Sequence, residues 1–214
     1  MGVQTKKRNW YPNNSNTRAI MNYTDILKFA KIDDDNVICA FEYGSRVYGN
    51  IHEKSDYDYI FIVKDRNSEQ FLSDIININF YDEQSYITRL LNHEISALET
   101  LWLDSKHILK QTKKFNFVLN RSMLRKSISK KSSNSWVKSR KKELDSEFLV
   151  SKKSLWHSYR IIMFGIQISK YGEIIDYSEA NYLFNNILKS ERLLWDKSLF
   201  NSLSTNFKKI TPKS

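Results

Sequence analysis

The side chains best suited by type and spacing to do chemistry are two carboxylates in Ser55-Asp56-Tyr57-Asp58, a short way after the turn Gly44-Ser45-Arg46-Val47-Tyr48-Gly49. Tyr57 to Val63 is rich in aromatic and β-branched residues, so it reads as a strand. Successive strand side chains alternate faces, and Asp56 and Asp58 therefore project to the same side where that strand begins. Two carboxylates so close repel each other, and a bound divalent cation is the usual remedy. Mg²⁺ is the fitting ion, with Mn²⁺ as its substitute, because a hard cation is commonly held by one or two carboxylates together with substrate phosphates. The Gly44-Ser45 turn, opening a short helix, would offer backbone N–H groups and a hydroxyl to those phosphates.

The elements that must position these residues are legible around them. Thr24 before Asp25-Ile26-Leu27-Lys28-Phe29-Ala30 is an N-cap signal for a short amphipathic helix. Val37 to Tyr43 is an almost continuously apolar run of strand length ended by Gly44, and Ile75 to Tyr81 alternates as a further strand. After Asp82 the spacing becomes helical, with Tyr86, Ile87, Leu90 and Leu91, then Ile95, Leu98, Leu101 and Trp102. From Lys113 to Leu203 the chain reads as helices, including a long one with Leu155, Tyr159, Ile162 and Ile166 on one face and Gly172 as its stop. The expected organisation is a flexible basic arm over 1–20, an α/β core over 21–111, a helical region over 112–203 and a tail over 204–214.

Charge is placed unevenly along this plan. The chain of 214 residues carries 34 Lys+Arg against 24 Asp+Glu, a net +10. Acids dominate from Thr24 to Asp104, whereas the basic surplus lies between Lys106 and Arg160, with Lys6, Lys7 and Arg8 adding an N-terminal cluster. Such asymmetry suggests an acidic part that holds cations and a basic part that meets a polyanion. The single cysteine, Cys39, sits in an apolar run and excludes a disulfide framework. No apolar run approaches the ~20 residues of a membrane span, and the N-terminus lacks the apolar centre of a secretory signal. A cytoplasmic location follows, the host's cytoplasm if the chain is phage-encoded, as its Asn- and Lys-rich, Gly-poor composition would suit. No membrane partner is expected.

The turn, the spacing and the Asp-x-Asp element together resemble the nucleotidyltransferases of the DNA polymerase β superfamily. Their signature is a Gly-Ser turn followed by Asp-x-Asp on a strand. Within it, Gly44-Ser45-Arg46-Val47-Tyr48-Gly49 and Ser55-Asp56-Tyr57-Asp58 are similar to a bacterial and phage branch that includes an RNA-ligase-associated group. Leu98-Glu99-Thr100-Leu101 resembles that branch's Leu-Glu helix, and Trp156-His157-Ser158-Tyr159-Arg160 with Tyr171-Gly172-Glu173-Ile174 its C-terminal helix and turn; the likeness covers residues 37 to 185. The resemblance implies an α+β fold: a polymerase-β-like core with a short mixed sheet, followed by an α-helical C-terminal region. It implies in-line attack of an acceptor hydroxyl on the α-phosphate of a nucleoside triphosphate, with two ions roughly 3.5–4 Å apart steadying the attacking and leaving oxygens. Asp56 and Asp58 would be the metal ligands. Gly44 and Ser45 would seat the β- and γ-phosphates, and Arg46, His157 and Arg160 would contact the nucleotide. The favoured acceptor is RNA, including tRNA, because of the basic helices.

One departure bears on catalysis. Alignment with the superfamily puts Asn77 where a third carboxylate, shared by the metal and the acceptor hydroxyl, is expected. Asparagine offers a neutral carbonyl and cannot take a proton. Asn77 and Asn79 share one strand face, while Asp74 and Asp82 fall with Ile76, Ile78 and Phe80 on the other. Either the metal site is reduced, or a carboxylate from elsewhere, such as Glu42 or Glu99, completes it. The expected function is therefore Mg²⁺-dependent nucleotidyl transfer. Its alternative is an impaired protein of the same fold that binds nucleotide or nucleic acid as a regulator or inhibitor. The histidines show no spacing for zinc.

Overall fold

The computed structural model describes residues 21–51, 55–73, 75–190 and 197–211. The expected arm over 1–20, and with it the N-terminal basic cluster, lies outside the described residues, as do His52 and Asp74. The chain enters on α1 (Tyr23–Ala30), where the N-cap is Asn22 in place of the expected Thr24: its side-chain oxygen accepts the Asp25 N–H at 2.9 Å.

Five strands form one sheet: β1 (Val37–Tyr43), β2 (Tyr57–Val63), β3 (Glu69–Leu72), β4 (Ile76–Asp82) and β5 (Ile108–Gln111), in the order β3-β4-β2-β1-β5. β2 and β4 are parallel and the other pairs antiparallel, so the sheet is mixed. Alternation gives it two apolar faces. One carries Tyr57, Tyr59, Phe61, Ile76, Ile78 and Phe80 and packs on Ile26 and Ala30 of α1. The other carries Phe41, Ile60 and Ile62 and is covered by helices.

Those helices are α2 (Ser45–Tyr48), α3 (Glu83–Leu91), α4 (Ile95–Leu98), α5 (Arg121–Leu144), α6 (Phe148–Tyr171), α7 (Asn181–Lys189) and α8 (Lys197–Ile210). Leu124 and Ile128 of α5, and Ile162 and Phe164 of α6, join Phe41, Ile60 and Ile62 in one cluster, so the core is continuous across residues 111 and 112. Reciprocal hydrogen bonds close α5 on α6 further along: Ser139 Oγ donates to the Ser151 carbonyl and Ser151 Oγ to that of Ser139, each at 2.6 Å. The α6 helix stops where expected, with Gly172 at φ 84 donating its N–H to the Ile168 carbonyl.

The expected tail over 204–214 is corrected: α8 runs through Ile210. Phe200, Leu203 and Phe207 recur at helical spacing and pack on the helical core, and Arg125 Nη1 donates to the Thr211 carbonyl at 2.9 Å. Gly165 makes room for this packing, since a Cβ there would lie 2.9 Å from Ile128 Cγ2 and 3.0 Å from Phe207 Cε2. Among the described residues no helix is long and apolar enough to cross a membrane.

Candidate active site

The site forms where β1 ends and β2 begins. Tyr43 is the register partner of Asp58 across the antiparallel pair, and Asp58 the partner of Asn77 across the parallel one, so three residues lie abreast on three strands. Parallel pairing keeps equivalent side chains on the same face, and this brings Asn77 to the carboxylates although it is distant in sequence. Its side-chain amide donates to Asp56 Oδ2 at 2.8 Å and to Asp58 Oδ1 at 3.0 Å. Both amide hydrogens are used in bridging the pair, yet the amide is neutral and leaves their charge in place.

Gly44 closes the site from the β1 side. Its backbone, at φ 76 and ψ −147, is in a region that L side chains avoid. A Cβ there would press on Asp58 Oδ2 and lie 3.0 Å from Asp58 Cγ. Glycine thus lets the turn backbone lie directly against the carboxylate. The Gly44 carbonyl then accepts the Val47 and Tyr48 N–H groups at 3.0 and 3.1 Å, starting α2.

Burial pushes the Asp58 carboxyl above the usual range; the Asn77 hydrogen bond opposes this, the Asp56 charge adds to it, and Lys153 and Arg46 oppose it. Arg46 lies with its guanidinium 3.6 Å from the centre of the Tyr57 ring, and its Nε is buried without a hydrogen-bond partner. His157 is held well below its ordinary value, first by burial and then by Arg160, Lys138, Lys153 and Lys131. Burial and these cations disfavour its charged form.

Arg160, expected to contact nucleotide, is corrected to a residue of the interior. It is 3% exposed, and its Nη1 donates to Glu99 Oε1 at 2.9 Å while its guanidinium lies 3.9 Å from the Tyr48 ring centre. Tyr48 donates to Glu99 Oε2 at 2.5 Å, and Tyr177 to the Glu99 backbone carbonyl at 2.5 Å. A guanidinium so enclosed presents no surface to a ligand. Its partners instead tie α2, and with it the Gly44-Ser45 turn, to α4 and α6. Burial raises the Glu99 carboxyl, and Arg160 and Tyr48 oppose that rise.

Neither carboxylate considered as a third ligand joins the pair. Glu99 is enclosed with Arg160 as described, and Glu42 pairs with Tyr59 in register, on the face opposite Asp58, where its Oε2 is 2.8 Å from His107 Nδ1. Among the described residues no group of three or more His, Cys, Asp or Glu side chains could hold a metal ion. Asp56 and Asp58 are hard oxygen donors of the kind one such cation would take, at the place where the Asn77 amide now bridges them; they do not supply the shared carboxylate that a second ion requires. Sequence reading missed Tyr43 and the Tyr48 and Tyr177 hydroxyls. Only the position of Tyr43 and Tyr48 beside the Gly-Ser turn could have signalled two of them.

Neither a protein-family profile nor a curated protein sequence matches this chain. Among solved structures, a nucleotidyltransferase-like protein from Exiguobacterium sibiricum aligns over 88% of this chain and 72% of its own, at 13% identity and a TM-score of 0.31. A superposition that loose carries no argument about the present chain, whose chemistry rests on its own residues.

Proposed function

We propose that this protein is a nucleotidyltransferase that moves a nucleoside monophosphate from a nucleoside triphosphate to an acceptor hydroxyl, with RNA as the acceptor. The observation that carries the reading is the alignment of Asp56 and Asp58 beside Asn77, pressed against a glycine turn that only a residue without Cβ can make. Asp56 and Asp58 would hold Mg²⁺ or Mn²⁺, which when bound supplies positive charge to the triphosphate oxygens. Gly44 and Ser45 seat the β- and γ-phosphates, and Arg46, next in the turn, would leave the Tyr57 ring to add its charge to the same anionic group. The acceptor oxygen attacks the α-phosphorus in line, the α–β phosphoanhydride bond breaks, and pyrophosphate departs. Asn77 cannot take the hydroxyl proton, which leaves to water. Glu99 and Arg160 act from the interior by fixing Tyr48 and hence the turn.

Incubation with each α-³²P-labelled triphosphate, Mg²⁺ or Mn²⁺, and total RNA and protein tests the reading, with Asp56→Ala/Asp58→Ala as control. Label passing to RNA and lost in the control supports it. Label on protein moves the acceptor, and no transfer under any condition rejects the reaction.

The bridging amide of Asn77 favours a second reading, a protein of this fold with impaired catalysis that binds nucleotide or nucleic acid as a regulator. Asn77→Asp separates the two. A large gain in transfer identifies a degenerate site; unchanged transfer means that Asn77 is not a missing ligand.

A further inference from the structure

α5 is a basic helix whose charges find few partners. Lys126, Lys130, Lys131, Lys138, Arg140 and Lys141 are all exposed, and none belongs to an ion pair among the described residues. At roughly 100° per residue the six lie within one half of the helix circumference, over a length of about 22 Å. The opposite half holds the buried Leu124, Ile128, Ser132 and Ser139, which face the core and α6. Between the bases stand Ser127, Ser133 and Asn134, small hydrogen-bonding side chains suited to phosphate oxygens. α5 packs along α6, the helix that carries Lys153 and His157.

We propose that this stripe of α5 is the docking surface for a single-stranded RNA. A membrane surface fits less well. A helix lying in a bilayer interface inserts a broad apolar face, whereas Leu124 and Ile128 of α5 are committed to the core and the exposed Val137 and Leu144 stand singly among the bases. A strand of phosphates needs only a row of cations with hydrogen-bonding groups between them, and that is what the stripe presents. The choice of RNA rests on the transferase reading, in which an RNA hydroxyl is the acceptor; the surface itself does not depend on catalysis.

The test measures binding of a labelled single-stranded RNA by full-length protein carrying Asp56→Ala/Asp58→Ala, so that no chemistry intervenes. Six phosphate contacts would contribute about −4 to the slope of log K against log salt, at about −0.7 per contact for a single strand. Lys126→Gln/Lys130→Gln/Lys141→Gln, all at exposed positions, is expected to remove about 2 units of that slope. Lys28→Gln/Lys31→Gln/Lys114→Gln removes the same charge elsewhere and is expected to leave the slope unchanged. No RNA binding, equal effects of the two triples, or loss of phosphatidylserine-vesicle binding with RNA binding intact would each overturn the proposal. Failure of transfer in the unmutated protein, with the slope difference present, would reject the transferase reading alone.

Discussion

Gly44→Ala probes the closest approach in the site. The new Cβ costs about 1–3 kcal/mol for a backbone at φ 76 and ψ −147. It also meets Asp58 Cγ at 3.0 Å and Cβ at 3.1 Å, an overpacking that costs about 1–3 kcal/mol more. Together these amount to about 2–6 kcal/mol, and with a urea dependence of about 2–3 kcal/mol per molar the denaturation midpoint falls by roughly 0.7–3 M. A double-mutant cycle separates the contributions. Asp58→Ala removes the carboxyl group and leaves only its Cβ near the new methyl, so Gly44→Ala in that background should retain the backbone cost and shed most of the clash. The expected coupling is about 1–3 kcal/mol, read from urea curves of wild type, both single variants and the double. A cost for Gly44→Ala below about 1 kcal/mol, or a coupling indistinguishable from zero, would refute the claim that this turn is pressed against Asp58.

Asp58→Asn should stabilise the fold while abolishing transfer. Burial raises the folded pKa of Asp58 above its unfolded value, so its ionised form costs stability. That cost is absent below the unfolded pKa and grows as pH rises through the folded one, so the advantage of the variant in thermal denaturation should widen from acid to neutral pH. Asn77→Asp puts three acids together, and in EDTA it should lower Tm relative to wild type, with Mg²⁺ restoring more to the variant than to the wild type; equal responses would argue against cation binding there. Removing one partner of the Glu99–Arg160 pair, by Glu99→Ala or Arg160→Ala, should cost about 3–5 kcal/mol, and the double variant much less than the sum, as measured by chemical denaturation. Asp82 caps α3 by accepting the Ser85 N–H at 2.8 Å, and hydrogen bonds from Ser85 and Ser68 hold its carboxyl down at about 2. Its contribution is present above the ordinary carboxylate value of roughly 4 and lost as pH falls through about 2, so Asp82→Ala, at about 1 kcal/mol, should matter at pH 7 and much less at pH 2.

The strands that hold the site could be read from the sequence because burial patterns them: β1, buried on both faces, as a continuous apolar run, and β4, buried chiefly on one, by its alternation. β3 and β5 could not. Each has four residues at a sheet edge, and Glu69-Gln70-Phe71-Leu72 is mostly exposed, so pairing with one neighbour specifies it without an apolar pattern. The acids at 56 and 58 needed only strand alternation to be placed side by side. Arg160 was misread because its type and helix face suit a phosphate, whereas its real partner, Glu99, is supplied by a helix 61 residues earlier that only tertiary packing brings near. The same limit hid the α8 tail, whose Phe207 is buried against a glycine on another helix.

The lateral row of Tyr43, Asp58 and Asn77 also has an evolutionary consequence. The codons for asparagine and aspartate differ by one base, and the two side chains have nearly the same shape. The parallel register already aims position 77 at the two acids, so a single transition would install a third carboxylate without moving the backbone. The lineage that carries this chain is therefore one inheritable step from a three-acid centre, and selection could cross that step in either direction while the scaffold stayed as it is.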